Sequence, residues 1–410
     1  MRLSYLVSLL LLPCLAAPVS VGSVPRGKPE DVGMSSERLQ RIHEAIQRHL
    51  DAGEISGAVT LVARRGRVVH FEAHGLMDIE SKRPMETDAI FRLASMTKPI
   101  TGVAALLMME EGKLRLGDPI SKYLPEFKNA KVAVARGNTG DFYVVPADRD
   151  LTIRDLLTHT NGLMTGGIGS KSGPPRPAEG DTLAAYVPRL AAVPLDFQPG
   201  TQWAYSGYAA PDTLSRIIEI VSGQTYDEFL RQRLFAPLGM QDTFFYPPDD
   251  RRPRLTTLYN KSPHGLVKAP NQNGFSFTTY CSGGGGLMST AADYLQFAQM
   301  LLNGGELNGK RILSPRTVDL MASNHVGDMF NGKLGRPAHG MGYGLLVGIV
   351  EDGVAAGLRV SNGSFGWDGA YGTQTWIDPR EKMVTIVLIQ TQVVGVQRDF
   401  ENAVVQAIVE

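Results

Sequence analysis

Cysteine is nearly absent from this 410-residue chain, which has only Cys14 and Cys281. Two thiols cannot build a disulfide scaffold, and no Cys/His cluster at ligand spacing points to a zinc site. Net charge is absent too: 41 Lys and Arg balance 41 Asp and Glu. Without a basic excess or basic run, there is no electrostatic case for nucleic acid or an anionic membrane surface. No apolar run reaches the roughly 20 residues that span a bilayer. Several catalytic signatures are also missing: there is no Gly-x-Ser-x-Gly elbow, no His-Glu-x-x-His and no dinucleotide fingerprint after a strand. Gly304–Lys310 has phosphate-loop spacing, but Arg311 stands where Ser or Thr must meet magnesium, so it reads as a helix-ending turn. With 43% hydrophobic and 20% charged residues, the composition also excludes disorder, collagen and coiled coil. What is left is a globular chain with ample apolar residue for a core and a small-molecule site.

The first 23 residues read as an export signal rather than fold. Met1-Arg2 is a basic start, Leu3–Leu12 is apolar, and Ala16-Ala17 supply a small-residue cleavage region between Ala16 and Ser23. The expected location is therefore periplasmic or secreted. Cys14 raises a lipoprotein alternative, disfavoured by Pro13 where a small residue should precede a lipidated Cys.

Beyond it, Ser35 caps a helical pattern of Leu39, Ile42, Ile46 and Leu50. Ala58–Ala73 reads as a hairpin turning at Arg65-Gly66, and Thr101–Glu111 as a helix apolar all round and therefore buried. Helices are expected over Leu151–His159, Thr182–Ala192, Pro211–Ser222, Tyr226–Leu234 and Thr290–Leu302. Strands are expected over Tyr343–Val350, Thr373–Ile377 and Met383–Ile389, with a last helix over Arg398–Val409. Strands at both ends flank a helical middle, so both ends should join one antiparallel sheet. The expected architecture is α+β: an antiparallel sheet flanked by helices, from about 35–120 and 285–410, with a mostly helical part, about 121–284, inserted. The loops Thr165–Gly180 and Asn271–Gly286 are candidates to border a pocket.

Ser95 and Lys98, three apart at a helix start, share one face, so the amine can reach the hydroxyl. Pro99 has no N–H, so the first regular helical bond runs at the earliest from Ile100 to Met96. Ser95 then sits among free N–H groups able to hold an oxyanion. Burial of Lys98 favours its neutral form, as a general base requires. The same spacing arises about once by chance in a chain of this composition. Tyr205, in Tyr205-Ser206-Gly207, is either packing or a partner that shares a proton with a nearby Lys. Gly366-Trp367-Asp368-Gly369-Ala370 is either a hairpin with a surface Trp or a strand start exposing N–H groups to a ligand.

In order and approximate spacing, Ser95–Lys98, Tyr205 and Gly366–Gly369 resemble the three motifs of serine β-lactamase-like hydrolases. That family includes class C β-lactamases, DD-peptidases and family VIII carboxylesterases. Supporting phrases are EGKLRLGDPISKYLPEF (111–127), DLLTHTNGL (155–163), GGGGLMSTAAD (283–293) and TWIDP (375–379). The resemblance covers about residues 35–410. It implies that Ser95 is an acylated nucleophile, that Lys98 and Tyr205 form the base pair, and that the Ser95 and Ala370 N–H groups form the oxyanion hole. Trp367, Asp368, Gly369 and Gly207 would touch a small-molecule ester substrate, with no metal or cofactor required. His159 is expected as a structural hydrogen-bonder. Two departures matter. Gly207 stands where β-lactamases carry Asn, and Trp367 stands where they carry Lys or His. Losing that counter-charge weakens a substrate carboxylate's binding by about 1.5–3 kcal/mol. Trp367 is similar to the Trp-Gly-Gly form of the carboxylesterases, with Asp368 replacing the middle Gly. An esterase is therefore expected ahead of a β-lactamase or D-alanyl peptidase, and both ahead of a non-catalytic ligand-binding member.

Overall fold

The computed structural model describes residues 20–137, 140–274 and 279–410. Most of the expected signal segment, with Cys14, lies outside the described residues. One sheet organises the chain. Strands β1 (Gly57–Arg64), β2 (Arg67–Asp78) and β3 (Arg83–Pro84) come from the N-terminal part. Strands β4 (Met341–Tyr343), β5 (Gly348–Val350), β6 (Phe365–Asp368), β7 (Gln374–Asp378) and β8 (Met383–Ile389) come from the C-terminal part. Their order is β4-β5-β6-β7-β8-β1-β2-β3, with every pairing antiparallel. The central strand β1 is buried along its whole length, which is why it reads as an almost unbroken apolar run rather than an alternation.

Each face of β1 has its own cover. Ala58 and Val62 meet helices α1 (Ser36–Asp51) and α7 (Val394–Val405) through Leu39, Ile42, Ile46, Val396 and Phe400. Val59, Leu61 and Ala63 face the main core with α2 (Thr97–Glu110). Between the two halves of the sheet, the chain forms α3 (Ile153–Thr158), α4 (Leu183–Leu190), α5 (Ala209–Ser222) and, returning toward the sheet, α6 (Ala291–Leu302). No described helix is long and apolar enough to cross a membrane.

Local chemistry explains the element ends. The Ser35 hydroxyl accepts from the Arg38 N–H and starts α1. Thr152 and Asp155 form a reciprocal capping box on α3. Arg65 and Gly66 turn the β1–β2 hairpin with φ of 48° and 74°, both positive as a type I′ turn requires.

Two expected elements differ. The stretch read as one strand over 343–350 is a tight hairpin. Leu346 has a φ of 63°, and its N–H donates to Leu157 O on α3 at 2.9 Å, so the chain turns out of the sheet to reach a helix. The last helix runs over 394–405, four residues earlier than read. Its apolar period begins at Val396 against α1, and the end of the chain peels off because the Val409 N–H donates to Gly33 O at 3.0 Å.

Arg64 ties these ends to the sheet. Its side chain is 1% exposed. It donates to Val32 O (2.7 Å), Gly33 O (2.8 Å), Glu410 O (2.7 Å) and the Glu381 carboxylate (2.5 Å). Arg64→Ala takes one donor from each of three carbonyls and a carboxylate, so we predict a loss of about 3 kcal/mol. Equilibrium urea unfolding checks this, and a loss below about 1 kcal/mol would contradict the clamp.

Candidate active site

Ser95 lies in a single 3₁₀ turn, Ala94–Met96, that runs into α2. Ala94 adopts a φ of 46°, a left-handed conformation that costs a residue with a Cβ roughly 1–2 kcal/mol. The turn is held by contacts from the 287–294 segment. Leu93 N–H donates to Leu287 O (2.9 Å), Leu287 N–H to Thr97 Oγ1 (3.2 Å) and Tyr294 Oη to Met96 O (2.9 Å). Among the described residues the Ser95 and Ala370 N–H groups have no acceptor, so both are available to a ligand.

Lys98 is fully buried. Its Nζ donates to Gly207 O (2.6 Å), Gly284 O (2.6 Å) and Ser95 Oγ (3.1 Å). Three acceptors match the three donors of an ammonium, an environment that burial alone does not reveal. The two carbonyls belong to chain segments that cross almost in contact. A Cβ on Gly284 would lie 2.8 Å from both Gly207 O and Tyr208 Cα, so only glycine permits this approach.

Tyr205 sits beside Lys98, with its ring centroid 4.8 Å from Nζ, within cation–π range. Its hydroxyl accepts from Trp367 Nε1–H at 3.4 Å. His159 backs the ring at 4.8 Å between centroids and is completely buried. Its Nδ1 accepts from the Ser206 N–H at 3.3 Å, which leaves the proton on Nε2. Burial, with the Lys98 charge nearby, holds this imidazole well below its ordinary range and therefore neutral. His159 thus orients the Tyr205-Ser206 segment. Tyr343, Trp203 and Phe330 complete the aromatic cluster around Tyr205 and Trp367.

The hairpin after β6 closes the opposite side. Gly369 donates to Thr373 O at 2.7 Å. A Cβ there would lie 2.1 Å from Thr373 Oγ1 and 2.3 Å from Leu93 O. That close seating against the turn before Ser95 brings Ala370 to the site. A cavity of about 560 Å³ opens here, lined by Ser95, Tyr205, Gly207 and Ala370 and by both candidate loops, through Thr165, Arg176, Asn271 and Tyr280. Residues 275–278 of the second loop lie outside the described residues. Trp367, Asp368 and Gly369 do not line the cavity. Trp367 is 4% exposed within the aromatic cluster, and the Asp368 carboxylate is taken up by Arg336 and by Gln374 Nε2 (3.1 Å).

The Beta-lactamase family model matches residues 42–410. The chain belongs to the Beta-lactamase family. Protein Rv1367c of Mycobacterium tuberculosis (strain H37Rv) is 38% identical over 84% of this chain and 88% of its own. Esterase EstB of Burkholderia gladioli is 30% identical over 87% of this chain and 91% of its own. Among solved structures, EstCE1, described as a hydrolase with promiscuous acyltransferase activity, superposes with a TM-score of 0.76. It is 30% identical and covers 90% of this chain and 99% of that one. The protein is thus a hydrolase of the β-lactamase superfamily with the β-lactamase/transpeptidase-like fold.

One group in this β-lactamase-family site escapes sequence reading. Asp212, on α5, is fully buried at the cavity wall. It accepts from Tyr280 Oη (2.8 Å), Ser282 Oγ (2.8 Å) and Gly284 N–H (3.0 Å), so it fixes the segment whose carbonyl holds Lys98. Burial pushes its carboxyl up to about 6, while the three donors and Lys98 pull the other way. The available signal was an Asp in the first turn of an amphipathic helix, which also reads as an ordinary dipole-favoured acid.

Two predictions follow from these contacts. Gly369→Ala forces Ala370 away from Ser95, so we predict a fall in kcat of about 10²-fold with KM for an ester little changed. An unchanged kcat would show that the Ala370 N–H has no part in turnover. The folded carboxyl of Asp212 binds its proton more tightly than the unfolded one, whose ordinary value is 3.8. Its contribution to stability is therefore full below about pH 4 and declines as pH rises to about 6. Asp212→Asn should remove that declining component from stability measured against pH. It should also lower kcat about tenfold, because an amide cannot accept from all three donors. A wild-type stability–pH profile retained in the variant would refute the assignment.

Proposed function

We propose that the protein is a serine carboxylesterase acting through a Ser95 acyl-enzyme, with Lys98 and Tyr205 as the proton-handling pair. The observation that carries the ester reading is the place of Trp367. The side chain at the third-motif position is neutral and donates its N–H to Tyr205, so it offers no counter-charge to a substrate carboxylate. Gly207 supports the same reading. A Cβ there would meet only Tyr205 Cε1, at 3.8 Å, so the cavity keeps room for a bulky acyl or alcohol group where an amide side chain could have stood. The esterase EstB and the hydrolase EstCE1, each 30% identical to this chain, add weight to this choice.

The chemistry follows from the donors. Lys98 donates to Ser95 Oγ, so the serine's own proton must leave toward another acceptor, and Tyr205 Oη takes it when Tyr205 acts as the phenolate partner of the Lys98 ammonium. Ser95 Oγ then attacks the ester carbonyl, and the carbonyl oxygen gains negative charge toward the N–H groups of Ser95 and Ala370. Tyr205 returns the proton to the departing alcohol. Water repeats the sequence on the acyl-serine, releasing the acid and restoring Ser95.

A second reading, hydrolysis of β-lactams or D-alanyl peptides, is favoured by one observation: Arg176 lines the cavity, its guanidinium 5.1 Å from the Tyr208 ring centroid, and supplies a positive charge from the loop side. Turnover of p-nitrophenyl butyrate set against a chromogenic cephalosporin separates the two. We predict that kcat/KM for the butyrate exceeds that for the cephalosporin by about 10–100-fold and that Ser95→Ala abolishes both that turnover and labelling by a fluorophosphonate. Equal or better turnover of the cephalosporin would overturn the ester preference. Failure of the wild-type protein to label would overturn the acyl-enzyme itself.

A further inference from the structure

Strand β2 carries His70, Glu72 and His74 at alternate positions, so all three side chains leave the same face of the sheet. Glu72 pairs with Thr60 and His74 with Ala58, which places them on the face covered by α1, opposite the face that α2 and Ser95 occupy. His43 descends from α1 to meet them. Among the described residues, His43, Glu72 and His74 are the one group of three His, Cys or carboxylate side chains whose ligand atoms lie within 4.8 Å of one another. Glu72 Oε1 is 2.6 Å from His43 Nδ1 and 3.7 Å from His74 Nδ1.

His74 is the decisive group. It is 4% exposed, and its Nδ1 has no hydrogen-bond partner. On the other side of the ring, Nε2 lies 2.9 Å from Thr60 Oγ1, which in turn lies 2.7 Å from His70 Nε2. A hydroxyl donates one proton. When Thr60 gives it to His70, the same oxygen accepts from His74 Nε2–H, and His74 Nδ1 is left as a bare lone pair directed at the Glu72 carboxylate. A buried lone pair 3.7 Å from a carboxylate is positioned to share a cation with it. A ligating His donates its other ring N–H to an oxygen that fixes the ring's orientation, and Thr60 Oγ1 stands in that place for His74.

We propose that His43, Glu72 and His74 bind a divalent transition-metal ion of the Zn²⁺ type. Two imidazoles and one carboxylate suit Zn²⁺ better than the hard, oxygen-seeking Mg²⁺ or Ca²⁺. A shallow groove of about 530 Å³, bordered by Ser36, Gln40, His43, His70 and Glu72, gives the ion an entry and leaves room for a water ligand. The ion ties α1 to β2. Because it sits behind the sheet from Ser95, it acts on stability rather than on ester turnover. His-x-Glu-x-His is visible in the sequence, but it becomes a ligand set only when a strand aligns it and a helix adds His43.

The test is a calorimetric titration of the chelator-stripped full chain with ZnCl₂, together with its melting temperature and its ester turnover. The expected result is one ion per chain, a raised melting temperature and unchanged turnover. His43→Ala, an exposed change on α1 that leaves the core intact, and Glu72→Gln should each weaken binding about tenfold or more. No saturable binding by the wild-type chain, or an unchanged affinity in either variant, overturns the proposal. Neither result depends on whether the active site hydrolyses esters.

Discussion

The site is organised around the buried amine of Lys98. An ammonium taken from water costs several kcal/mol, and here three hydrogen bonds of the charge-assisted kind, worth about 1.5–3 kcal/mol each, offset that cost. Their acceptors come from three separate parts of the chain: the serine one turn before the lysine, the loop that opens α5, and the glycine run before α6. Satisfying one amine therefore forces these segments together. The small residues follow from that crossing, since a side chain on Gly284 would part the segments. Asp212 follows from it too, because the carbonyl it helps to place must stay aimed at Nζ.

A second constraint acts from the sheet side. The hairpin between β6 and β7 reaches Ser95 only because Gly369 rests on Leu93 O. The same hairpin begins with Trp367, which holds Tyr205 through its indole N–H while its ring joins the aromatic cluster. One short stretch of chain thus positions the Ala370 N–H and Tyr205 at once. The cost is borne elsewhere: Ala94 keeps a left-handed backbone, and His159 Nε2 has no hydrogen-bond partner. Both are tolerable where the surrounding packing over-determines the conformation.

The wider fold serves this meeting of segments. Both ends of the chain supply strands to one sheet, and Arg64 secures the N-terminal turn and the last residue to it. The helical segments between them carry Tyr205, Gly207 and Asp212 to the front of the sheet. The back, where α1 and α7 pack, is a separate surface with its own polar chemistry at His43, Glu72 and His74.

Local order was legible in the sequence. Ser95 and Lys98 on one helix face, the Arg65-Gly66 turn, the capped start of α1 and the buried character of α2 depend on neighbours three or four residues away, and short-range periodicity carries them. Elements whose ends are set by distant partners were not legible. The 343–350 stretch turns because Leu346 meets α3, and the last helix stops because the chain end meets Gly33. The roles of Asp368 and Asp212 were equally hidden. An aspartate reads the same in sequence whether Arg336 neutralises it or three donors and Lys98 surround it. From the sequence alone, balanced charge and scarce cysteine narrowed what to expect, and the spacing of a few residues suggested which chemistry to look for. Tertiary structure alone decided which carbonyls meet Lys98, what Trp367 touches and how much room lies beside Ser95, because each depends on the close approach of segments about a hundred residues or more apart.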